Sequence, residues 1–244
     1  MNQEISVVII ARNEEARLSR CVKSAFLISD DVLVIDNDST DSTPQLAQSL
    51  GARYFNNPWK GFSAQKNFGN LQAKNSWIFS LDADEEINAD LAKELNALQL
   101  DNPEDFYKVN RLNFLGQKPI RFGEWNPDWQ VRLFNRDRIH WNEEQAVHET
   151  LVIPETSKGH KLGSRLLHYT SPTVEHYAQK MEKYALLYAE KRKAAGNKSS
   201  LLKPWLSAGF GFIREYLIKL GFLDGQAGLQ LARMHARYTF NKYL

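Results

Sequence analysis

Residues 77–87 read WIFSLDADEEI, an apolar run from Trp77 to Leu81 that stops in four acids within five positions. Like charges this close repel one another. Either a partner offsets them or they form a solvated turn. Two earlier stretches share the pattern: ISVVII (5–10) runs into ARNEE, and DVLVID (31–36) runs into NDSTDSTP. Between them, Leu18, Cys21, Val22 and Ala25 share one helical face behind Asn13, which predicts a helix capped by Asn13. Thr43-Pro44 predicts the cap and first position of the next helix, Gly51 its end, and ARYF (52–55) a third strand. A helix around 63–73 leads into WIFSL, and Ile87, Leu91, Leu95 and Leu98 mark another.

Strands alternating with helices through residue 100 predict right-handed βαβ units and an α/β fold with a mainly parallel sheet. Ligands bind such sheets outside the carboxyl ends of the strands. ARNEE, DNDSTDST and DADEE all fall at those ends. From about 103 to 170 the pattern is less regular. Two helices follow, VEHYAQKMEKYALLYAEKRKAAG ending at Gly196 and a second with an apolar stripe at Leu206, Phe210, Ile213, Leu217 and Leu220.

The chain has 244 residues, 43% hydrophobic and 25% charged, a globular composition long enough for one large domain or for one domain with an appendage. Its single cysteine, Cys21, excludes an intrachain disulfide and fits a reducing compartment such as the cytosol. The opening MNQEISVVIIARNEE does not predict a signal peptide, and no apolar run is long enough for a membrane span. Residues 151–244 hold 15 Lys and Arg against 6 Asp and Glu, although the whole chain carries only +2. That basic third fits either an anionic partner or solvated helix faces.

Asp82 and Asp84 alternate just after a strand, so both carboxylates point the same way and can share a divalent cation with bound phosphates. The alternative is a pair of acids favouring the N-terminus of the next helix. Asp36 stands at a strand end, where a carboxylate can accept a base N–H or a ribose hydroxyl. Ser39 to Thr43 read as turn chemistry. No G-x-G-x-x-G follows the first strand, which excludes a dinucleotide oxidoreductase. An aspartyl-phosphate hydrolase would place its acid pair on the first strand. No nucleic-acid-binding module is visible.

ISVVIIARNEEARL, VLVIDNDSTDST and WIFSLDADEEI, in this order and spacing, resemble family 2 glycosyltransferases with the GT-A fold. DWQVRLFNR, AVHE and GFLDGQAGLQLARMHARY are similar to a narrower branch, the lipopolysaccharide core beta-1,4-glucosyltransferases. The resemblance implies a Rossmann-like, mainly parallel sheet flanked by helices over residues 1–170. It also implies a C-terminal helical extension, 171–244, facing acceptor or membrane. It further implies an inverting, metal-dependent transfer of a hexose, glucose from UDP-glucose, to a lipopolysaccharide inner-core sugar or other lipid-linked glycan. Mg²⁺ or Mn²⁺ would be the cofactor, and the location the cytoplasm, either free or in peripheral contact with the cytoplasmic face of the inner membrane. A non-catalytic glycan- or nucleotide-sugar-binding protein on the same scaffold is the alternative.

By the same resemblance, Ala11, Asn13 and Glu14 form the first nucleotide loop, Asp36 holds uracil or ribose, and Lys66 lies near the nucleotide. Asp82 and Asp84 form the D-x-D motif, with Asp84 the direct metal ligand and His168 completing the metal shell or remaining a core histidine. The family's Glu-Asp pair that provides the base is absent, and His148-Glu149 stands in its region. Glu149 is then the base or a salt-bridged structural acid, with Asp128 the other candidate base. Arg132 and His148 are candidates for phosphate or acceptor contacts, Arg132 alternatively pairing with an acid. Trp125, Trp129 and Trp141 either stack on sugar faces or pack in the core. The stripe at 206–220 and the run Lys191-Arg192-Lys193 fit either a membrane face or helix packing and a solvated helix end.

Overall fold

The apolar runs become β1 (Ile5–Ala11), β2 (Asp31–Asp36) and β4 (Trp77–Asp82), with α1 (Leu18–Ala25), α2 (Thr43–Ser49), β3 (Arg53–Asn56) and α3 (Phe62–Gln72) between them. The structure, a computed structural model, describes residues 4–144, 150–196 and 202–243. After β4 come β5 (Glu85–Glu86), α4 (Ala89–Asn96), β6 (Phe106–Leu115), β7 (Lys118–Ile120) and β8 (Trp129–Asn135). β9 (His140–Trp141), β10 (Leu151–Val152), β11 (Gly159–Ser171), α5 (Val174–Ala194), α6 (Lys203–Ile213) and α7 (Gly225–Asn241) complete the chain. It divides into two compact units, Met1–Arg111 with Trp129–His168, and Leu112–Asp128 with Tyr169–Leu244.

The main sheet has the order β3-β2-β1-β4-β8-β6-β11-β5, with β7 beside β6. β3, β2, β1 and β4 are parallel, whereas β4 meets β8 and β8 meets β6 antiparallel. Ala11 lies beside Asp36 and Ile10 beside Asp82, so the three polar strand ends finish level at one edge. Val7, Ile9, Val34, Phe79 and Leu81 belong to the same buried cluster as Leu18 and Val22 of α1. Val8, Leu33, Ile35 and Ile78 belong to a second cluster with Phe134 and Trp141. Both faces are covered, which is why these strands read as continuous apolar runs. Gly69 lets α3 lie close to the sheet, since a Cβ there would sit 2.4 Å from Val8 Cγ1.

Several sequence expectations shift. Asn13 does not cap α1: the helix starts at Leu18, and Asn13 takes a positive φ of 54°. Its Oδ1 instead accepts the Thr40 N–H at 2.8 Å, while its own N–H donates to Ser39 Oγ at 2.8 Å. Thr43 is the first residue of α2, not its cap, because its hydroxyl accepts the Glu14 N–H at 2.8 Å. Two loops that each looked locally capped are bonded to each other. Ile87 and Leu98 lie outside α4, which Asn88 caps by accepting the Leu91 N–H at 2.9 Å. The irregular middle region is largely antiparallel strand, its mixed composition reflecting half-buried faces.

In the second unit, Leu115, Ile120, Tyr177 and Leu231 form a small core with Trp125, Met181 and Met234 against it. Gly221 and Gly228 touch closely, a Cβ on Gly228 falling 1.9 Å from the Gly221 carbonyl oxygen. The predicted helix over 206–220 is not continuous: α6 ends at Ile213 and a π-helical turn covers 214–218. Its stripe does not pack, and Leu206, Phe210, Ile213, Leu217 and Leu220 are all exposed. Lys191, Arg192 and Lys193 occupy the last turn of α5, where cations favour the helix dipole. Among the described residues no helix is long and apolar enough to cross a membrane.

Candidate active site

The level ends of β1, β2 and β4 open into a cavity of about 460 Å³ within the first unit. Ala11, Arg12 and Glu14 line it from the first loop, Asn37 from the second, and Asp82, Ala83 and Asp84 from the third. Trp59 contributes from the loop before α3, Phe62 and Gln65 from the start of that helix, and His168 from β11. Every apolar strand run thus delivers its polar end to one place, as the topology requires.

The acids of DADEE separate by environment. Asp82 Oδ1 lies 3.3 Å from Lys66 Nζ and Oδ2 2.7 Å from Arg132. Glu85 is fully buried, bonded to Arg132, 3.3 Å from Arg111, and accepting the Asp82 N–H at 3.0 Å. At Asp82 and Glu85 the repulsion that the sequence posed is answered by Lys66, Arg132 and Arg111. Burial would raise Asp82, but Arg132 and Lys66 outweigh it and hold its carboxyl far below the usual range. For Glu85 burial prevails, and the carboxyl is raised despite both arginines. Of the two readings of Arg132, it pairs with acids, and its buried Nε has no hydrogen-bond partner.

Asp84 faces the cavity with Oδ2 3.5 Å from His168 Nε2 and 3.9 Å from Arg17. Burial opposes its ionisation, yet the hydrogen bond and charge of His168 keep its carboxyl lowered. His168 stands opposite Glu85 in the β11–β5 pairing, which carries a residue 84 positions downstream to the D-x-D turn. Among the described residues no three His, Cys, Asp or Glu side chains converge as a ready metal cage.

Asp36 is buried and accepts from Ser39 N–H and Tyr54 hydroxyl, both at 3.0 Å, and from Ser39 Oγ. Burial and then that hydrogen bond push the Tyr54 hydroxyl up to about 12. Asn37, not Asp36, lines the cavity. Burial raises Glu14, which pairs with Arg17 at 2.8 Å. Lys66 is buried, 4.5 Å from the Trp141 ring centroid. Trp141 is a core residue against Phe134, and Trp129 carries Lys161 at 4.8 Å.

Trp125 and Asp128 belong to the second unit, where Asn113 Nδ2 donates to the Trp125 carbonyl at 3.0 Å and to Asp128 at 3.1 Å. Trp125 packs edge-on against Tyr177. His148 and Glu149 lie outside the described residues. Sequence reasoning missed Trp59, Phe62 and Gln65, although NPWKGF follows the third strand's carboxyl end and the same topological rule covers it.

A family model described as glycosyl transferase family 2 matches residues 6–168. Uncharacterized glycosyltransferase RP128 of Rickettsia prowazekii is 29% identical over 237 residues, covering 93% of this chain and 80% of that protein. The lipopolysaccharide core biosynthesis glycosyltransferase LpsC of Rhizobium meliloti is 29% identical over 245 residues, covering 97% and 89%. The crystal structure of S. aureus TarS 1-349 superposes with a TM-score of 0.50 at 14% identity, over 98% of this chain and 92% of that one, in keeping with the GT-A fold. The chain belongs to glycosyltransferase family 2, and it is an enzyme, a glycosyltransferase built on the GT-A fold.

Proposed function

We propose that this enzyme moves glucose from UDP-glucose, with inversion and a divalent metal ion, onto an inner-core sugar of lipopolysaccharide. The observation that carries the reading is Asp84 facing His168 at 3.5 Å on the wall of the strand-end cavity. An ionised carboxylate with diphosphate oxygens suits Mn²⁺ or Mg²⁺, and the His168 imidazole beside it favours Mn²⁺, the softer of the two. Asp84 and His168 would hold the ion, while Asp82 stays with Lys66 and Arg132 and orients the donor from that fixed position. When bound, the ion offsets the charge that develops on the departing diphosphate. Arg12, on the same wall, adds positive charge. The loops of Ala11, Asn13, Glu14 and Asp36 hold the nucleotide, their mutual hydrogen bonds setting its site before it arrives.

In the transfer, the acceptor hydroxyl oxygen bonds to the anomeric carbon from the face opposite the diphosphate. The anomeric C–O bond breaks, and its electron pair leaves on UDP. The hydroxyl proton passes to a carboxylate base, assigned to Glu149 with Asp128 as the other candidate. The similarity to LpsC supports a lipopolysaccharide core acceptor. Such an acceptor is lipid-linked, so residues 171–244 are assigned to the acceptor or membrane side, at the cytoplasmic face of the inner membrane.

Titration with UDP-glucose, with and without Mn²⁺, tests the donor half. Metal-dependent binding and a loss of transfer of about 10²–10³-fold in Asp84→Ala are expected. Binding indifferent to metal and to Asp84 overturns the reading. Glu149→Gln should bind donor normally and lose transfer; retained transfer moves the base to Asp128.

A further inference from the structure

The strangest surface of the second unit is the one the sequence drew attention to. Leu206, Phe210, Ile213, Leu217 and Leu220 follow helical spacing, and their exposures run from 44% at Leu220 to 70% at Leu206. Leu202, Trp205 and Ile218 extend the patch with exposures of 64% or more. A contiguous apolar face of this kind marks an interaction site, where scattered exposed residues would not.

The charges around it are sorted. Glu215 is the sole acid between residues 202 and 223, and it is turned inward, only 2% exposed. The π-helical turn carries it onto His235, whose Nδ1 lies 2.8 Å from Glu215 Oε2 and whose Nε2 meets the Tyr177 hydroxyl at 2.7 Å. Arg214 and Lys219 stay outside, both 2.8 Å from the single carboxylate of Glu124. At the start of α6, Arg192, Lys203 and Lys242 gather over the Tyr243 ring at 5.0, 5.0 and 5.2 Å. The three cations concentrate positive charge at one end of the stripe, the arrangement that meets a layer of headgroup phosphates. Trp205 packs edge-on against Phe240 beside them, and Trp205, Ala208, Gly209, Phe212 and Phe240 line an apolar groove of about 390 Å³.

We propose that residues 202–223 are an interfacial anchor that seats the enzyme on an anionic phospholipid surface. The exposed stripe enters the acyl boundary, and the cations around Tyr243 meet headgroup phosphates. This is the charge and apolar pattern of a helix that lies in a membrane interface without crossing it. The inference rests on the reading of a lipid-linked acceptor, which such a seat would hold at the level of the enzyme. It commits to a lipid occupant because Arg192, Lys203 and Lys242 cluster beside the stripe and residues 151–244 hold 15 Lys and Arg against 6 Asp and Glu, whereas a second copy of the same face would bring those like charges together.

Sedimentation of the full chain with vesicles tests it. Binding to phosphatidylglycerol-containing vesicles is expected, with little to phosphatidylcholine alone. Leu206→Ser/Phe210→Ser should weaken it at least about tenfold, and Lys203→Glu/Lys242→Glu should do the same while abolishing the salt dependence. Equal binding by native and variant chains, or no binding, overturns the anchor. A native dimer that dissociates in the Leu206→Ser/Phe210→Ser variant overturns it in favour of self-association. UDP-glucose titration of the same proteins separates the two claims. Normal donor binding without lipid binding removes only the anchor, and lipid binding without donor binding removes only the proposed function.

Discussion

The two units break the ordinary rule of burial in opposite directions. At the strand-end edge of the first, Lys66, Asp82, Glu85 and Arg132 are drawn into the protein in contact with one another. Along residues 202–223 of the second, leucines, phenylalanines and isoleucines are left outside. Buried charge and exposed apolar patches are the informative departures in a folded chain. The first is self-contained, since each acid has a basic partner within the unit. The second is incomplete, since nothing among the described residues covers it.

That difference predicts where stability and function part. Arg132→Ala leaves Asp82 and Glu85 buried with less compensation, and should destabilise the first unit by about 3–5 kcal/mol in urea unfolding. A change under about 1 kcal/mol would mean that Lys66 and Arg111 balance the acids alone. Asp31 offers a smaller test at a buried carboxylate remote from the cavity. Burial opposes its ionisation, but Ser6, the Lys74 N–H and Arg53 hold the carboxyl below its ordinary 3.8. A depressed folded value contributes stability above about pH 4, and the contribution drains as pH falls through that folded value. Asp31→Asn should therefore be less stable at neutral pH by about 1–3 kcal/mol. The gap should narrow in unfolding measurements below pH 4. At the other extreme, Leu206→Ser/Phe210→Ser should change stability in lipid-free buffer by no more than about 0.5 kcal/mol per site. A larger loss would show that the stripe is part of a core after all.

Much of the first unit was legible because its cues are local. Apolar runs ending in polar clusters identified β1, β2 and β4, and the rule for parallel sheets identified their shared edge. The cues failed where a residue's partner lies far along the chain. Asn13 and Thr43 look like helix caps by composition, yet their polar groups bond across a gap of 27 and 29 residues. The antiparallel strands β6, β8 and β11 went unread because half-buried strands mix aromatic, aliphatic and charged residues without a clean period. Trp141 and Trp125 looked alike as possible sugar platforms. Trp141 proved to be a core ring beside Lys66, and Trp125 packs against Tyr177 in the other unit.

WIFSLDADEEI draws the boundary most sharply. By itself the sequence determined that a strand ends there and that acids crowd the ligand edge, since both follow from hydrophobic period and chain order. Only the tertiary structure decided that Glu85 turns inward to Arg111 and Arg132 while Asp84 faces the cavity with His168. The same holds for the stripe at 206–220, whose period was visible and whose exposure was not. A side chain's direction follows from its own backbone, but its partner is supplied by strands and helices tens of residues away.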